Sequence, residues 1–186
     1  DDPEYKEKLM DLRKENKQWI RKTKDLGFFS YFHRFKSDSL SLYEWVRQTN
    51  YDHEALISAA ETASEGKVEH IPFLVNCLDS DKPEIRFWGA SGLSLIAKHN
   101  PSLDYPPELE KAIYDTDPVV SATAAEALCF WGEEETAIPV MMRLVEKGHP
   151  DVLSSLLTLM YEGKCMKELQ NYKDSFRKAM KYCKTE

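Results

Sequence analysis

Four cysteines and five histidines are the residues best able to hold a metal or attack a substrate, and neither set has the spacing this chemistry needs. Cys77, Cys129, Cys165 and Cys183 contain no C-x-x-C pair and stand beside no histidine at a zinc-binding interval. They read as buried free thiols, and the three pairings that four cysteines allow stay open. His33, His53, His70, His99 and His149 share no spacing that would gather them on one helix face. Asp79 with Asp81, and the run Glu133-Glu134-Glu135, are candidate carboxylate groups for proton transfer. Each falls where a turn is expected beside a helix, so they read as solvated acids. A glycine-rich phosphate loop and a G-x-S-x-G elbow are both missing. The chain is therefore expected to perform no covalent chemistry.

The elements that carry these residues are expected to be helical. Of 186 residues only 7 are glycine, while 42% are hydrophobic and 31% charged, a balance that suits a folded helical protein with a sizeable core. No apolar run approaches the roughly 20 residues that span a bilayer, so no membrane partner is expected. The net charge of -7 and the short, acid-interrupted basic clusters argue against a nucleic-acid partner. With no signal segment and no initiator methionine before Asp1-Asp2-Pro3, the chain reads as a piece of a longer polypeptide.

Three prolines organise the middle of the chain. Pro83, Pro118 and Pro150 lie 35 and 32 residues apart, and each has another proline eleven residues upstream: Pro72, Pro107 and Pro139. Ahead of the aligned prolines, Leu74, Cys77 and Leu78 recur as Leu109, Ala112 and Ile113 and again as Met141, Leu144 and Val145, at helical spacing. Behind them, Ile85, Gly89, Ala90 and Leu93 recur as Val120, Ala124, Ala125 and Leu128 and as Val152, Leu156, Leu157 and Met160. Each unit is thus expected to be a helix pair whose second helix opens on proline, where the missing N–H has no intrahelical partner to lose. Asp81, Asp117 and His149 are placed to cap those helices. The small residues allow close approach, and no unit buries its face alone.

The pattern "PEIRFWGASGL" at 83–93, with "PVVSATAAEAL" at 118–128 and the looser "PDVLSSLLTLM" at 150–160, resembles the HEAT repeat. That resemblance implies an all-α, HEAT-like α-solenoid of about three helix pairs. The half unit "HEALISAAETAS" at 53–64 is expected to cover its N-terminal end, and the amphipathic "CMKELQNYKDSFRKAMKYC" at 165–183 to cap the other end. The aspartate–arginine ladder common in such arrays is mostly missing, because Ser121 and Leu153 replace Arg86.

Before the repeats, residues 3–24 read as a separate helix with a seam of Leu9, Leu12, Trp19 and Ile20, stopped at Gly27. An aromatic connector follows, with Phe28, Phe29, Tyr31, Phe32, Phe35, Tyr43, Trp45 and Tyr51. The head "DDPEYKEKLMDLRKENKQWIRKTKDLGFF" resembles the end of the catalytic region of bacterial sulfatases, some of which continue into HEAT-like repeats. "AAETAS" at 59–64 and "IRFWGA" at 85–90 extend the likeness. The resemblance implies three parts: 1–27 as the last helix of a sulfatase-like catalytic region, 28–52 as connector, and 53–186 as a helical repeat domain. It also implies periplasmic or secreted localisation.

The C/S-x-P-S-R motif that supplies a sulfatase's formylglycine is not in the sequence. Formylglycine and calcium are accordingly expected only in the missing catalytic domain, and this chain is expected to carry no catalytic, cofactor or metal residue. Its expected role is that of a non-catalytic accessory region. Its partners would be the preceding catalytic domain, together with a protein or a sulfated glycan. A free-standing HEAT-type module that binds protein is the alternative, and a HEAT-type enzyme acting on DNA bases is disfavoured by the charge. Arg86, Phe87 and Trp88, which break the repeat, join Trp45 as the candidate docking surface.

Overall fold

Helices alone make up the regular structure of the described residues. The computed structural model describes residues 3–30, 33, 39–147, 149, 152–172, 174 and 177. The chain is all-α and forms two compact units, Asp1–Ser58 and Ala59–Glu186.

The first unit opens with a 3-10 turn and then α1 (Lys6–Thr23), an 18-residue helix with no buried residue. It ends at Thr23, one residue inside the expected span of 3–24. Lys24 adopts the left-handed conformation at φ 51°, Lys24 N–H donates to the Arg21 carbonyl, and Asp25 N–H to that of Ile20, which closes the helix end. Gly27 instead donates its N–H to the Asp25 carboxylate at 2.7 Å, opening a 3-10 turn.

Within the expected connector lies a further helix, α2 (Leu42–Gln48). Ser41 and Glu44 close a reciprocal capping box at its start. Phe29 and Tyr51 are buried with rings 5.2 Å apart, and Trp45 stands 5.4 Å from Tyr51. Tyr31, Phe32 and Phe35 lie outside the described residues. Arg21 grips the Glu54 carboxylate at 2.7 to 3.0 Å, and Arg47 donates to the Thr23 carbonyl at 2.6 Å. Glu54 belongs to α3 (His53–Glu65), whose later turns enter the second unit.

The second unit continues with α4 (Ile71–Leu78), α5 (Pro83–His99), α6 (Glu108–Ala112), α7 (Pro118–Phe130), α8 (Glu134–Glu146), α9 (Val152–Tyr161) and α10 (Met166–Gln170). The closest neighbours are α4 with α5, α5 with α7, and α7 with α8 and α9. The expected seam is buried: Leu74, Leu109 and Met141 are fully enclosed, as are Val120, Val152, Leu93 and Leu156. Two departures stand out. Leu157 is exposed, although it aligns with buried Ala90 and Ala125. Ala122 and Thr123, which align with half-buried Phe87 and Trp88, are buried because α7 is enclosed on nearly every side, and the Thr123 hydroxyl is satisfied by the Val119 carbonyl.

Prolines behave differently from unit to unit. Pro83 and Pro118 open α5 and α7, and Asp117 caps α7 by accepting from Val119 N–H and Val120 N–H. Asp81 caps nothing, since Lys82 occupies that position without a side-chain bond. Pro139 lies inside α8, which begins five residues earlier at Glu134. Pro150, and with it the cap of α9, lies outside the described residues. So do Phe176, Ala179, Met180 and Cys183, on which the C-terminal capping helix was expected to depend.

Close packing is sharpest where α5 crosses α4. A Cβ on Gly89 would sit 2.7 Å from the Leu74 carbonyl oxygen and 2.9 Å from the Cys77 Cβ, so glycine is what lets these helices meet.

Candidate functional site

Arg86, Phe87 and Trp88 stand together on the first turns of α5, where the proline-led start fixes their direction. Arg86 makes two parallel bonds to Asp115, 2.7 Å from Nε and 2.8 Å from Nη2, and a third from Nη1 to the Ser80 carbonyl at 2.9 Å. Both side chains are mostly enclosed, at 14% and 11% exposure, so the pair is a fork-to-fork clamp between α5 and the turn before α7. The bond to Asp115 pushes the Arg86 pKa up, so its charge is fixed across the working range. The acid of this pair is supplied by the turn before α7.

Phe87 and Trp88 make an edge-on contact at 5.4 Å, and Trp88 packs against the core that surrounds α5 and α7. Trp45 belongs to the first unit, beside Tyr51. All four sequence-selected residues are half-buried. The exposed large apolar side chains lie elsewhere. Tyr5, Leu9, Met10, Leu12 and Trp19 expose 59%, 44%, 62%, 54% and 57% of their surface along one 18-residue helix and the turn before it. Tyr5, Leu9, Leu12 and Trp19 repeat at intervals of four, three and seven, which puts them on one stripe. Leu9, Leu12 and Trp19 were legible as a seam in the sequence; their exposure was not.

A second group escaped the sequence. Glu126 is the one charged residue of α7, held between two neighbouring helices: Ser94 of α5 donates to it at 3.2 Å, and Ser155 of α9 bonds it from the other side. Burial pushes the Glu126 carboxyl above its ordinary value, opposed by the two serine bonds and by the Lys98 charge. Lys98 lies 5.9 Å from the Phe130 ring centre and reaches Glu162, just past α9, at 2.7 Å. Polar side chains thus tie α5 to α9 across α7. The visible signal was a lone acid in an otherwise apolar helix.

Among the described residues the thiols have no reactive setting. Cys77, Cys129 and Cys165 are free and buried; burial pushes Cys77 and Cys165 to about 11, and Cys129 also upward. Of the candidate carboxylates, Asp79 pairs with Lys111 at 3.4 Å, Asp81 with Lys82 at 3.1 Å, and Glu134 approaches Lys164 at 4.0 Å. Among the described residues no group of three or more His, Cys, Asp or Glu is placed to hold a metal, and no helix is long and apolar enough to cross a membrane. Comparison with protein-family models, with curated proteins and with solved structures gave no match.

Proposed function

We propose that this chain is a non-catalytic accessory region, a HEAT-like helical stack that braces the catalytic domain of a sulfatase-type polypeptide. The observation that carries the reading is α1. Its apolar stripe of Leu9, Leu12 and Trp19 is left in solvent, although it has the spacing and residue types of a helix seated in a groove. The same residues lie in the head segment that resembles the end of a sulfatase catalytic region. Docking through that stripe joins the two facts. The second unit contributes stiffness: its close-packed α4–α5 crossing and the Arg86–Asp115 clamp resist shear between units. Sulfate-ester or sulfamate hydrolysis, with its formylglycine and calcium, belongs in this reading to the partner domain.

The coding sequence upstream of Asp1 tests the reading. A C/S-x-P-S-R motif several hundred residues earlier is expected. An upstream region without one, or a start codon beside Asp1, overturns it in favour of a free-standing module that binds protein.

A further inference from the structure

α1 has a second face. Lys6–Thr23 contains seven Lys or Arg and three Asp or Glu, a net +4 in a chain of net -7, so the remaining residues carry -11. Its cations are not evenly spread. Met10, Arg13, Lys14, Lys17, Gln18 and Arg21 line an open cleft of about 530 Å³. Each has another three or four positions along, so together they form a single ladder along the helix. Arg13 to Arg21 spans about 12 Å at 1.5 Å per residue, which puts four cations on one short strip. Glu7, Asp11 and Glu15 fall outside the cleft lining. Glu54 engages Arg21 at the C-terminal end of this ladder.

We infer that this cleft is a binding site for a polyanionic chain, specifically a sulfated polysaccharide. Massed cations on an exposed strip attract a polymer of fixed negative charges by releasing its condensed counterions. Arg13 offers a forked donor that matches a tetrahedral oxyanion, Lys14 and Lys17 supply point charge, and Arg21, already bonded to Glu54, closes the end of the strip. Nucleic acid is the weaker fit: the cleft lining holds no aromatic ring for a base to stack on. The choice of sulfate over other anions rests on the accessory role proposed above. The preference for a polyanion rests on the cleft alone. The apolar stripe and the basic ladder occupy different sides of α1, so docking through one leaves the other open to solvent.

The test is binding of the full 186-residue chain to heparin, with chemically desulfated heparin, a DNA duplex and phosphatidylglycerol vesicles measured alongside. Expected is heparin binding that weakens steeply with salt, is lost on desulfation, and falls about tenfold or more in Lys14→Gln/Lys17→Gln, with a shallower salt slope. Lys147→Gln, an exposed change in the second unit, should leave it unchanged. The substituted lysines are exposed, so far-ultraviolet circular dichroism should match the parent chain. No heparin binding overturns the inference. So does equal or tighter binding to DNA or to the vesicles, or an equal loss in Lys147→Gln. Heparin binding by a chain whose upstream region lacks C/S-x-P-S-R keeps the cleft and removes the sulfatase reading, so the two fail separately.

Discussion

Replacing Gly89 by alanine sets two known effects against each other. In a solvated helix interior the change adds about 1 kcal/mol of stability, because alanine loses less backbone entropy than glycine. Here the added methyl would meet the Leu74 carbonyl oxygen at 2.7 Å and the Cys77 Cβ at 2.9 Å. The first of these belongs to the backbone of α4 and has no rotamer to yield, so the helices must separate. Overpacking of this kind costs about 1–3 kcal/mol. With rigid neighbours the upper part of that range applies, and the net loss is about 1–2 kcal/mol. At about 2–4 °C per kcal/mol for a chain of this size, the melting temperature should fall by about 2–8 °C. Thermal denaturation followed by circular dichroism, with the urea midpoint as a second measure, reads it directly. The aligned position in the next unit provides the contrast: Ala124 already fits there, fully buried, and Ala124→Gly should lower stability by about 1 kcal/mol or more through propensity and the lost methyl. A Gly89→Ala protein that melts at or above the original temperature would refute the close crossing of α4 and α5.

The remaining predictions concern polar groups. Arg86→Ala strands a mostly enclosed Asp115 and should cost about 2 kcal/mol in urea unfolding, with much of it recovered in Arg86→Met/Asp115→Leu. For Glu126, burial raises the folded pKa above the unfolded value, so the native state holds the proton more tightly and stability falls as pH rises from the ordinary carboxylate range through the raised value. Glu126→Gln should remove that slope, match the parent near pH 4 and exceed it near pH 8; parallel profiles would contradict the assignment. Asp117→Ala removes the α7 cap and should cost about 1 kcal/mol, whereas Asp81→Ala should be nearly silent.

The repeat was readable because a buried seam must recur at intervals of three and four whatever surrounds it. Leu74, Leu109 and Met141 are enclosed for that reason. What surrounds a helix is not written in its own periodicity. Thr123 has the look of a flank residue, yet α7 is covered on nearly all sides and the hydroxyl bonds back to Val119. α2 was hidden by the aromatic density of its segment, although "SLYE" at 41–44 spells the capping box that starts it. The end of α1 falls within one residue of the expected 3–24 span, but Lys24, not glycine, takes the left-handed cap conformation there. At the site, Arg86 was identifiable as an exception but its partner was not, because Asp115 lies 29 residues away and meets it only through packing of one unit on the next. Glu126 required three helices to be in place before its meaning appeared.

Leu9→Asp/Leu12→Asp tests the central claim most directly, compared in the full-length polypeptide and in the isolated chain of 186 residues. Two charges placed on an exposed stripe should leave the isolated chain's melting temperature unchanged; on the proposed accessory reading, in the full-length protein the catalytic domain should melt earlier and release sulfate more slowly. Identical melting and sulfate release in full-length parent and variant would contradict docking through α1.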